Sequence, residues 1–307
     1  MDIFLQQIIN GLVLGSIYAL VALGYTMVYG ILGLINFAHG DIVMIGAMVA
    51  LTVMSSLAGS ALPPAAILLV AMLAATAVCV AIGVSVERVA YRPLRRAPRL
   101  APLITAIGVS ILIQYSAALV WGKQYISLPQ IFTPASITFG GAQFTDLQVY
   151  IFLLACGIMG ALLWFIKSSR VGRAMRATEQ NPDIAGLMGV DTNRIIAFTF
   201  LVGSAIGAVA GVMVVLYYGL GHYFMGFMLG LKAFTAAVLG GIGNVAGAML
   251  GGLLLGVIES LASGYIGDIT GGLLGSNYRD VFAFLVLIVV LVLRPSGLLG
   301  QPVAERA

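Results

Sequence analysis

The chain has 307 residues, of which 61% are hydrophobic and 8% are charged, and its formal net charge is +4. A soluble domain carries about 25% charged residues, so this composition excludes an ordinary soluble protein and indicates a membrane protein with several spans. The mean hydropathy of +1.09 supports the same conclusion. The basic residues lie where a topology signal would place them, and we therefore expect no nucleic-acid partner.

Apolar runs of about 20 residues recur along the whole chain, as is typical of membrane-spanning helices. The predicted spans are 6–31, 41–59, 64–88, 100–121, 147–167, 194–218, 226–240, 245–265 and 279–294. The seventh is short, and it is either a full crossing or a re-entrant or broken helix. The predicted fold is thus an all-α polytopic integral membrane protein. Residues 1–307 form one membrane domain with eight or nine transmembrane helices, including broken or short glycine-rich segments.

Lysine and arginine predict the orientation of these spans, because cytoplasmic loops carry an excess of both. Ten of the fifteen basic residues lie in the loops 88–99 and 167–194, which we therefore place in the cytoplasm. Arg294 and Arg306 put the C-terminus on the same side. Nine crossings with the N-terminus outside satisfy this pattern and eight do not, so 226–240 is counted as a crossing.

The stretch LINFAHGD, residues 34–41, places polar side chains between the first two predicted spans. A helix in lipid breaks only where protein or a water-lined cavity covers its backbone. In one interpretation the stretch is a helix break that lines a solute pathway, and Asp41 caps the helix that starts at Ile42. In the other it is an interfacial turn in which Asn36 and Asp41 cap helices and His39 lies among the headgroups.

The loop 167–194 contains a short helix with signals for both of its ends. Asn181 is a favourable N-cap, Pro182 fits the first helical position, and Gly189 provides the C-terminal stop. These signals predict a helix of about two turns between Asn181 and Gly189.

One face of this short helix is apolar at i, i+3, i+4 spacing. That face is formed by Ile184, Leu187 and Met188. A capped amphipathic helix between basic flanks either docks into a groove on a partner protein or lies on membrane lipid headgroups. Asp191 or Thr192 is then expected to cap the next span.

Four glycines surround Asn244 within residues 240–247. Such a density disfavours a helix interior and predicts a turn or a close approach of two backbones. Because no basic residue adjoins this stretch, close packing is favoured over a phosphate-binding loop.

Glu259 lies in the apolar run LLLGVIESLA. An acid embedded in a membrane is a functional hypothesis by default. Neutralisation by Lys232 or Arg279 would instead give it a structural role.

The remaining reactive side chains are few. Cys79 and Cys156 lie singly in apolar spans, and His39 and His222 are far apart in sequence. The sequence therefore predicts packed thiols, no disulfide and no metal site. An intramembrane enzyme would need a nucleophile and a base within hydrogen-bond reach. The sequence contains no G-x-S-x-G motif and offers no persuasive pair of this kind. No catalytic residue is predicted.

Five stretches in a defined order carry a family resemblance that covers nearly the entire chain. They read GLVLGSIYALVALGYTMVYGILGLINFAHGD, ERVAYRPLR, RVGRAMRAT…GLMGVDTNRIIAFTF, KAFTAAVLGGIGNVAGAMLGG and RPSGLLG. With them the chain resembles the LivH-type permeases of bacterial branched-chain amino acid ABC importers. The resemblance implies a multi-pass permease subunit of the bacterial inner membrane that moves branched-chain or other small neutral amino acids inward.

The resemblance also implies partners: a second homologous permease subunit, two cytoplasmic ATPase subunits and a periplasmic amino-acid-binding protein. No G-x-x-x-x-G-K-[ST] motif occurs in the sequence, so ATP hydrolysis is expected on separate subunits and no cofactor on this chain. Related permeases that carry urea or short amides look alike, and a stand-alone carrier or channel for a small neutral solute is a further alternative.

Such permeases take their coupling helix from the cytoplasmic loop before a late span, which by position is 173–190 within the coupling loop 167–194. The residues predicted to couple to an ATPase are Arg173, Arg176, Glu179, Asn181, Pro182, Ile184, Ala185, Gly186, Leu187, Met188 and Gly189. The residues predicted to line the substrate pathway are Asn36, His39, Asp41, Asn244 and Glu259.

Overall fold

The computed structural model describes residues 2–95, 97–98, 100–132, 134–272, 275, 278–294 and 296–300. The α-helices in these ranges are α1 (Asp2–Leu32), α2 (His39–Leu57), α3 (Pro64–Val86), α4 (Leu100–Trp121), α5 (Asp146–Ser168), α6 (Arg170–Gln180), α7 (Pro182–Leu187), α8 (Thr192–Tyr218), α9 (Met225–Gly240), α10 (Val245–Ile269) and α11 (Arg279–Leu293). The short strands are β1 (Ile126–Ser127), β2 (Ser136–Phe139), β3 (Ala142–Thr145) and β4 (Leu220–Gly221).

The prediction of an all-α membrane protein is confirmed. Each of the nine predicted spans coincides with a helix, and among the described residues seven helices are long and apolar enough to cross a membrane. The other two are shorter: α9 has 16 residues and α11 has 15. The sidedness of the spans stays a prediction, and three arginines used to infer it, Arg96, Arg99 and Arg306, lie outside the described residues.

The chain forms two compact units. Unit 1 comprises Met1–Thr26, Pro134–Met159 and Lys232–Ala307, and unit 2 comprises Met27–Thr133 and Gly160–Leu231. Helices α1, α5 and α9 contribute residues to both units, so this division does not test the prediction of one membrane domain.

Unit 2 is built around α2, α3 and α8, which pack closely because small residues lie where the helices meet. A Cβ placed on Gly211 of α8 would lie 2.2 Å from the Val43 carbonyl oxygen of α2. A Cβ on Gly46 would lie 2.8 Å from the Ala208 Cα. Only a hydrogen at these positions allows such contact, which explains part of the glycine content.

Unit 1 uses the same device between α1 and α10. A Cβ on Gly252 would lie 2.4 Å from the Ala19 Cα, and one on Gly256 would lie 2.3 Å from the Gly15 Cα. Helix α10 also packs against α11. Unit 1 therefore joins α1 to α10 through glycine contacts and adds α11 against α10.

The strands form small antiparallel pairs. Strands β2 and β3 make a hairpin whose two-residue turn, Gly140 and Gly141, has positive φ at both positions, as a type I′ turn requires. Strands β1 and β4 pair elsewhere, joining residues 126–127 to 220–221. These pairs organise the loop 122–146 between α4 and α5.

Candidate functional site

The turn between α1 and α2 is short and closed by hydrogen bonds. Helix α1 ends at Leu32, and Gly33 follows with a φ of +63°. Asn36 is buried, and its Oδ1 accepts the Ala38 N–H at 3.1 Å and the Tyr91 hydroxyl at 2.9 Å. A break between the two helices, as in the first interpretation, is therefore present, and protein covers it.

Asp41 does not cap a helix that starts at Ile42, so that prediction is wrong. Helix α2 begins earlier, at His39, which puts Asp41 inside its first turn. The buried carboxylate accepts hydrogen bonds from Ser110 Oγ at 2.5 Å and from Gln114 Nε2 at 3.0 Å, both on α4. A buried carboxylate needs donors, and these neutral side chains provide them across the helix contact.

His39 is also buried, with 1% of its surface exposed. Its ring faces α8, where Cε1 lies 3.3 Å from a Cβ placed on Gly207. The ring is therefore enclosed by protein, and the interpretation that puts His39 among lipid headgroups is wrong.

The end of α3 forms a network that the sequence did not reveal. The helix continues as a π-helix, Glu87–Tyr91, and then as a 3-10 helix, Arg92–Leu94. Tyr91 of the π-helix donates to Asn36, while Glu87 pairs with Arg95. Single π-turns often occur at functional sites, so this irregularity marks the region as more than a connector.

Arg95 extends this network to the start of α8. Its Nη1 donates to the Asn193 Oδ1 at 2.6 Å, and burial lowers the pKa of the guanidinium while Glu87 opposes that change. A chain of contacts thus runs from Asn193 through Arg95 and Glu87 to the π-helix, and from Tyr91 to the 33–38 turn.

The capping signals in the 167–194 loop are confirmed. The Asn181 Oδ1 accepts the N–H groups of Asp183 and Ile184, each at 3.0 Å, and α7 begins at Pro182. Gly189 has a φ of +85°, which suits glycine after a helix.

The next cap is also resolved. Asp191 accepts the Arg194 N–H at 3.1 Å and is therefore the N-cap of α8. Of the two predicted caps, Asp191 and Thr192, the structure has Asp191.

The apolar face of α7 is exposed. Leu187 is 87% exposed, Met188 81% and Ile184 57%, whereas Ala185 is buried. Large apolar side chains grouped on one exposed face indicate a surface that another apolar or amphipathic surface covers. We call Ile184, Leu187 and Met188 the α7 face.

Helix α6 precedes α7 and was not predicted. Ser169 caps it by accepting the Gly172 N–H at 2.8 Å. Arg173 donates to the Ser168 carbonyl at 3.2 Å, and Arg176 donates to the Ile166 carbonyl. Both arginines therefore bind carbonyl groups at the C-terminal end of α5, where cations are favoured.

Glu179, at the end of α6, lies against α1. Its Oε1 is 2.9 Å from a Cβ placed on Gly30. Burial raises the pKa of Glu179, and Arg176 opposes that rise. The coupling candidates therefore divide into two groups: Arg173, Arg176 and Glu179 attach α6 to its own unit, and the α7 face points away from it.

The glycine-rich turn before α10 brings backbones together as predicted. Gly241 and Gly243 have φ values of +109° and +92°, and a Cβ on Gly241 would lie 2.4 Å from the Gly300 nitrogen. Asn244 caps α10 by accepting the Gly247 N–H at 2.9 Å, and its Nδ2 donates to the Leu299 carbonyl at 2.8 Å. Asn244 thus holds a packed turn.

Glu259 has both of the basic neighbours that the sequence offered. Lys232 Nζ lies 2.6 Å from Glu259 Oε1, and Arg279 Nε lies 3.9 Å from it. Two further groups were missed, Asp280, whose Oδ1 is 2.7 Å from Lys232 Nζ, and Tyr18, whose hydroxyl accepts from Lys232 at 3.2 Å. No sequence spacing connects these residues, because they come from α1, α9, α10 and α11.

The pathway candidates fall in both units. Asn36, His39 and Asp41 belong to unit 2, whereas Asn244 and Glu259 belong to unit 1. Along α10, Asn244 and Glu259 are separated by about 22 Å, given a rise of about 1.5 Å per residue.

The metal-ligand and thiol candidates remain dispersed. No group of three or more potential metal ligands occurs among the described residues. The Cys79 thiol is buried and donates to the Ile42 carbonyl at 3.2 Å, and Cys156 is half-buried.

The comparison with known proteins explains this assembly of helices. The family model described as "Branched-chain amino acid transport system / permease component" matches residues 7–291. The chain belongs to this permease family. It is accordingly a multi-pass inner-membrane protein.

Individual relatives are similar to this chain in sequence along nearly its full length. The permease is 46% identical to the high-affinity branched-chain amino acid transport system permease protein LivH of Salmonella typhimurium over 308 residues, which covers 99% of this chain and 97% of LivH. It is also 46% identical to the BraD permease protein of Pseudomonas aeruginosa, covering 99% and 98% of the two chains. The predicted resemblance to LivH-type permeases is confirmed.

A solved structure supports the fold alone. PsaBC from Streptococcus pneumoniae, in complex with Fab, matches 95% of the permease and 92% of its own chain with a TM-score of 0.50 and 13% identity.

Proposed function

We propose that this chain is one permease subunit of an ATP-binding-cassette importer that moves branched-chain amino acids inward. Its partners are a second homologous permease, two cytoplasmic ATPases and a periplasmic amino-acid-binding protein. One observation carries the proposal: the α7 face is apolar, exposed and held by caps at both ends of the helix. Membership of the permease family supports it.

The α7 face fits a partner's groove better than lipid. Ile184, Leu187 and Met188 are spaced as anchors of a helix that binds in a groove. Arg173 and Arg176 of the preceding helix bind carbonyls of their own chain, and Arg194 pairs with Asp191, which reduces the positive charge available to lipid headgroups. A separate ATPase that grips this helix would deliver its closing motion here.

The network at the end of α3 gives that motion a route. A displacement of α7 acts on Asp191 and Asn193 at the start of α8, because only a short turn separates the two helices. Asn193 is bound to Arg95, and Tyr91 of the adjoining π-helix is bound to Asn36. Docking at α7 therefore biases the 33–38 turn, and rigid elements of this kind suit a two-state transporter.

The relatives support branched-chain amino acids as the substrate. LivH and BraD are named for branched-chain amino acid transport. The predicted pathway residues Asn36, His39, Asp41 and Glu259 are buried polar groups, and they support polar contacts with the solute along its route. High affinity resides in the binding protein, and the chain itself carries neither a cofactor nor a catalytic group.

Reconstitution tests the proposal. Liposomes that contain this chain, the second permease and both ATPases, with binding protein on the outer face and ATP inside, should accumulate radiolabelled leucine. Liposomes that lack any one of these components should not. Leucine entry through this chain alone would replace the proposal with a stand-alone carrier or channel, and ATP-driven uptake of urea or short amides but not leucine would replace the substrate.

A further inference from the structure

A cluster of four ionisable side chains lies inside unit 1. Lys232 Nζ is 2.6 Å from Glu259 Oε1 and 2.7 Å from Asp280 Oδ1. Arg279 Nε is 3.9 Å from both of those oxygens. Tyr18 completes the cluster by accepting from Lys232 at 3.2 Å and presenting its ring 5.5 Å from the ammonium. Two acids and two bases thus share one site.

Burial is graded across this cluster. The side chains of Glu259 and Lys232 are 1% and 6% exposed, whereas those of Asp280 and Arg279 are 33% and 45% exposed. The buried pair therefore lies behind a pair that reaches the surface of the unit. A solute at that surface meets Asp280 and Arg279 first.

Two carboxylate oxygens of the cluster have no hydrogen-bond partner within the described part of the chain. Glu259 Oε2 is buried and has no hydrogen-bond partner there. Asp280 Oδ1 is close to Lys232, yet it also lacks a partner with hydrogen-bond geometry. Buried charges that serve only packing are usually fully hydrogen-bonded, because each unmet group costs stability. Here Glu259 Oε2 is left without a donor, and Asp280 Oδ1 is held by ion pairing alone.

We propose that this cluster binds the α-ammonium and α-carboxylate groups of the transported amino acid. The carboxylate of the solute replaces that of Asp280 on Lys232, and the ammonium group donates to Glu259 Oε2. No net charge enters the cluster, since a zwitterion brings one charge of each sign. The inference rests on the proposed function and specifies where this chain recognises its solute.

Asp280 has a second favourable position when it is displaced. It lies in the first turn of α11, where a negative charge interacts well with the helix N-terminus, and Arg279 is its neighbour. Exchange of one carboxylate for another on Lys232 therefore leaves no buried charge unpaired. The solute carboxylate thus takes over the pairing of Lys232 with Asp280, while Lys232 stays paired with Glu259.

Ligand binding to the assembled transporter in lipid nanodiscs, without binding protein, tests this inference. Radiolabelled leucine should bind and be displaced by unlabelled leucine, whereas 4-methylpentanoate and 3-methylbutylamine, which each lack one charged group, should not displace it at 100-fold excess. Lys232→Met should abolish binding, and Lys232→Arg should retain it. Asp280→Asn should tighten binding at least threefold, because the competing carboxylate is neutralised.

A matched variant separates this role from packing. Asp146→Asn also neutralises an acid in the first turn of a helix in unit 1, and it should leave leucine affinity unchanged. Leucine affinity that is unchanged or weakened in Asp280→Asn, or displacement by either single-charge analogue, would overturn the inference. Because ATP-driven uptake by the wild-type assembly is measured separately, that result would leave the proposed function standing, whereas absence of uptake would remove the function itself.

Discussion

Replacing Leu187 with alanine should weaken the attachment of the ATPase without disturbing the fold of the permease. Complete burial of a leucine side chain contributes about 1.5–3 kcal/mol. Because Leu187 is 87% exposed in the isolated chain, nearly all of that contribution is available to a partner. Alanine keeps a minor part of the apolar surface, so the expected loss is about 1–2 kcal/mol, or roughly 5- to 30-fold in affinity.

The assay is binding of the purified ATPase to permease in nanodiscs, measured as a dissociation constant. Leu119→Ala is the matched control, since Leu119 is 88% exposed and belongs to α4, outside the coupling loop. The control should keep wild-type affinity, and both variants should retain the thermal unfolding midpoint of the wild type. Equal affinities for wild type and Leu187→Ala would refute the reasoning that the α7 face is the docking surface.

Three further predictions concern stability and transmission. Gly211→Val should lower the yield of folded protein, because it overpacks the contact of α2 with α8 at a cost of about 1–3 kcal/mol or more. Gly157→Val, whose added Cβ would meet no atom of a neighbouring segment within 4 Å, should keep the wild-type size-exclusion profile. Tyr91→Phe removes the hydroxyl that Asn36 accepts, so transport per ATP hydrolysed should fall while ATPase binding stays normal; an unchanged ratio would exclude the proposed route. Because burial raises the pKa of Glu179, the stability that its protonated form confers is complete below the ordinary pKa and is lost as pH rises through the raised one. Glu179→Gln should therefore flatten the dependence of the unfolding midpoint on pH above that ordinary value, and a parallel curve for the variant would contradict this account.

The helices could be predicted from the sequence because each signal was local. Apolar length located the nine helices that coincide with the predicted spans, and the caps at Asn181 and Gly189 located α7. The glycines around Asn244 likewise predicted a close backbone approach from a local signal, although Gly300, which Gly241 approaches, is distant in the chain. In each case neighbouring residues meet the physical requirement. A long apolar run spans the hydrocarbon, and a capping side chain accepts an unpaired N–H.

Contacts between distant segments could not be predicted in this way. Asp41 was assigned to the nearest helix terminus, but its donors, Ser110 and Gln114, come from α4. The π-helix ending at Tyr91 has no propensity signal, since it differs from an α-helix only in hydrogen-bond register. Asp280 joined the Glu259 cluster for the same reason, because tertiary packing alone placed it beside Lys232.

The central claim, that a separate ATPase grips α7, is tested most directly by the accessibility of position 187. Leu187→Cys in a background without the native cysteines should react rapidly with a polar maleimide in the permease alone. In the complete transporter the rate should fall at least tenfold, while Leu119→Cys reacts at the same rate in both. An equal rate for Leu187→Cys with and without the ATPases would contradict the account.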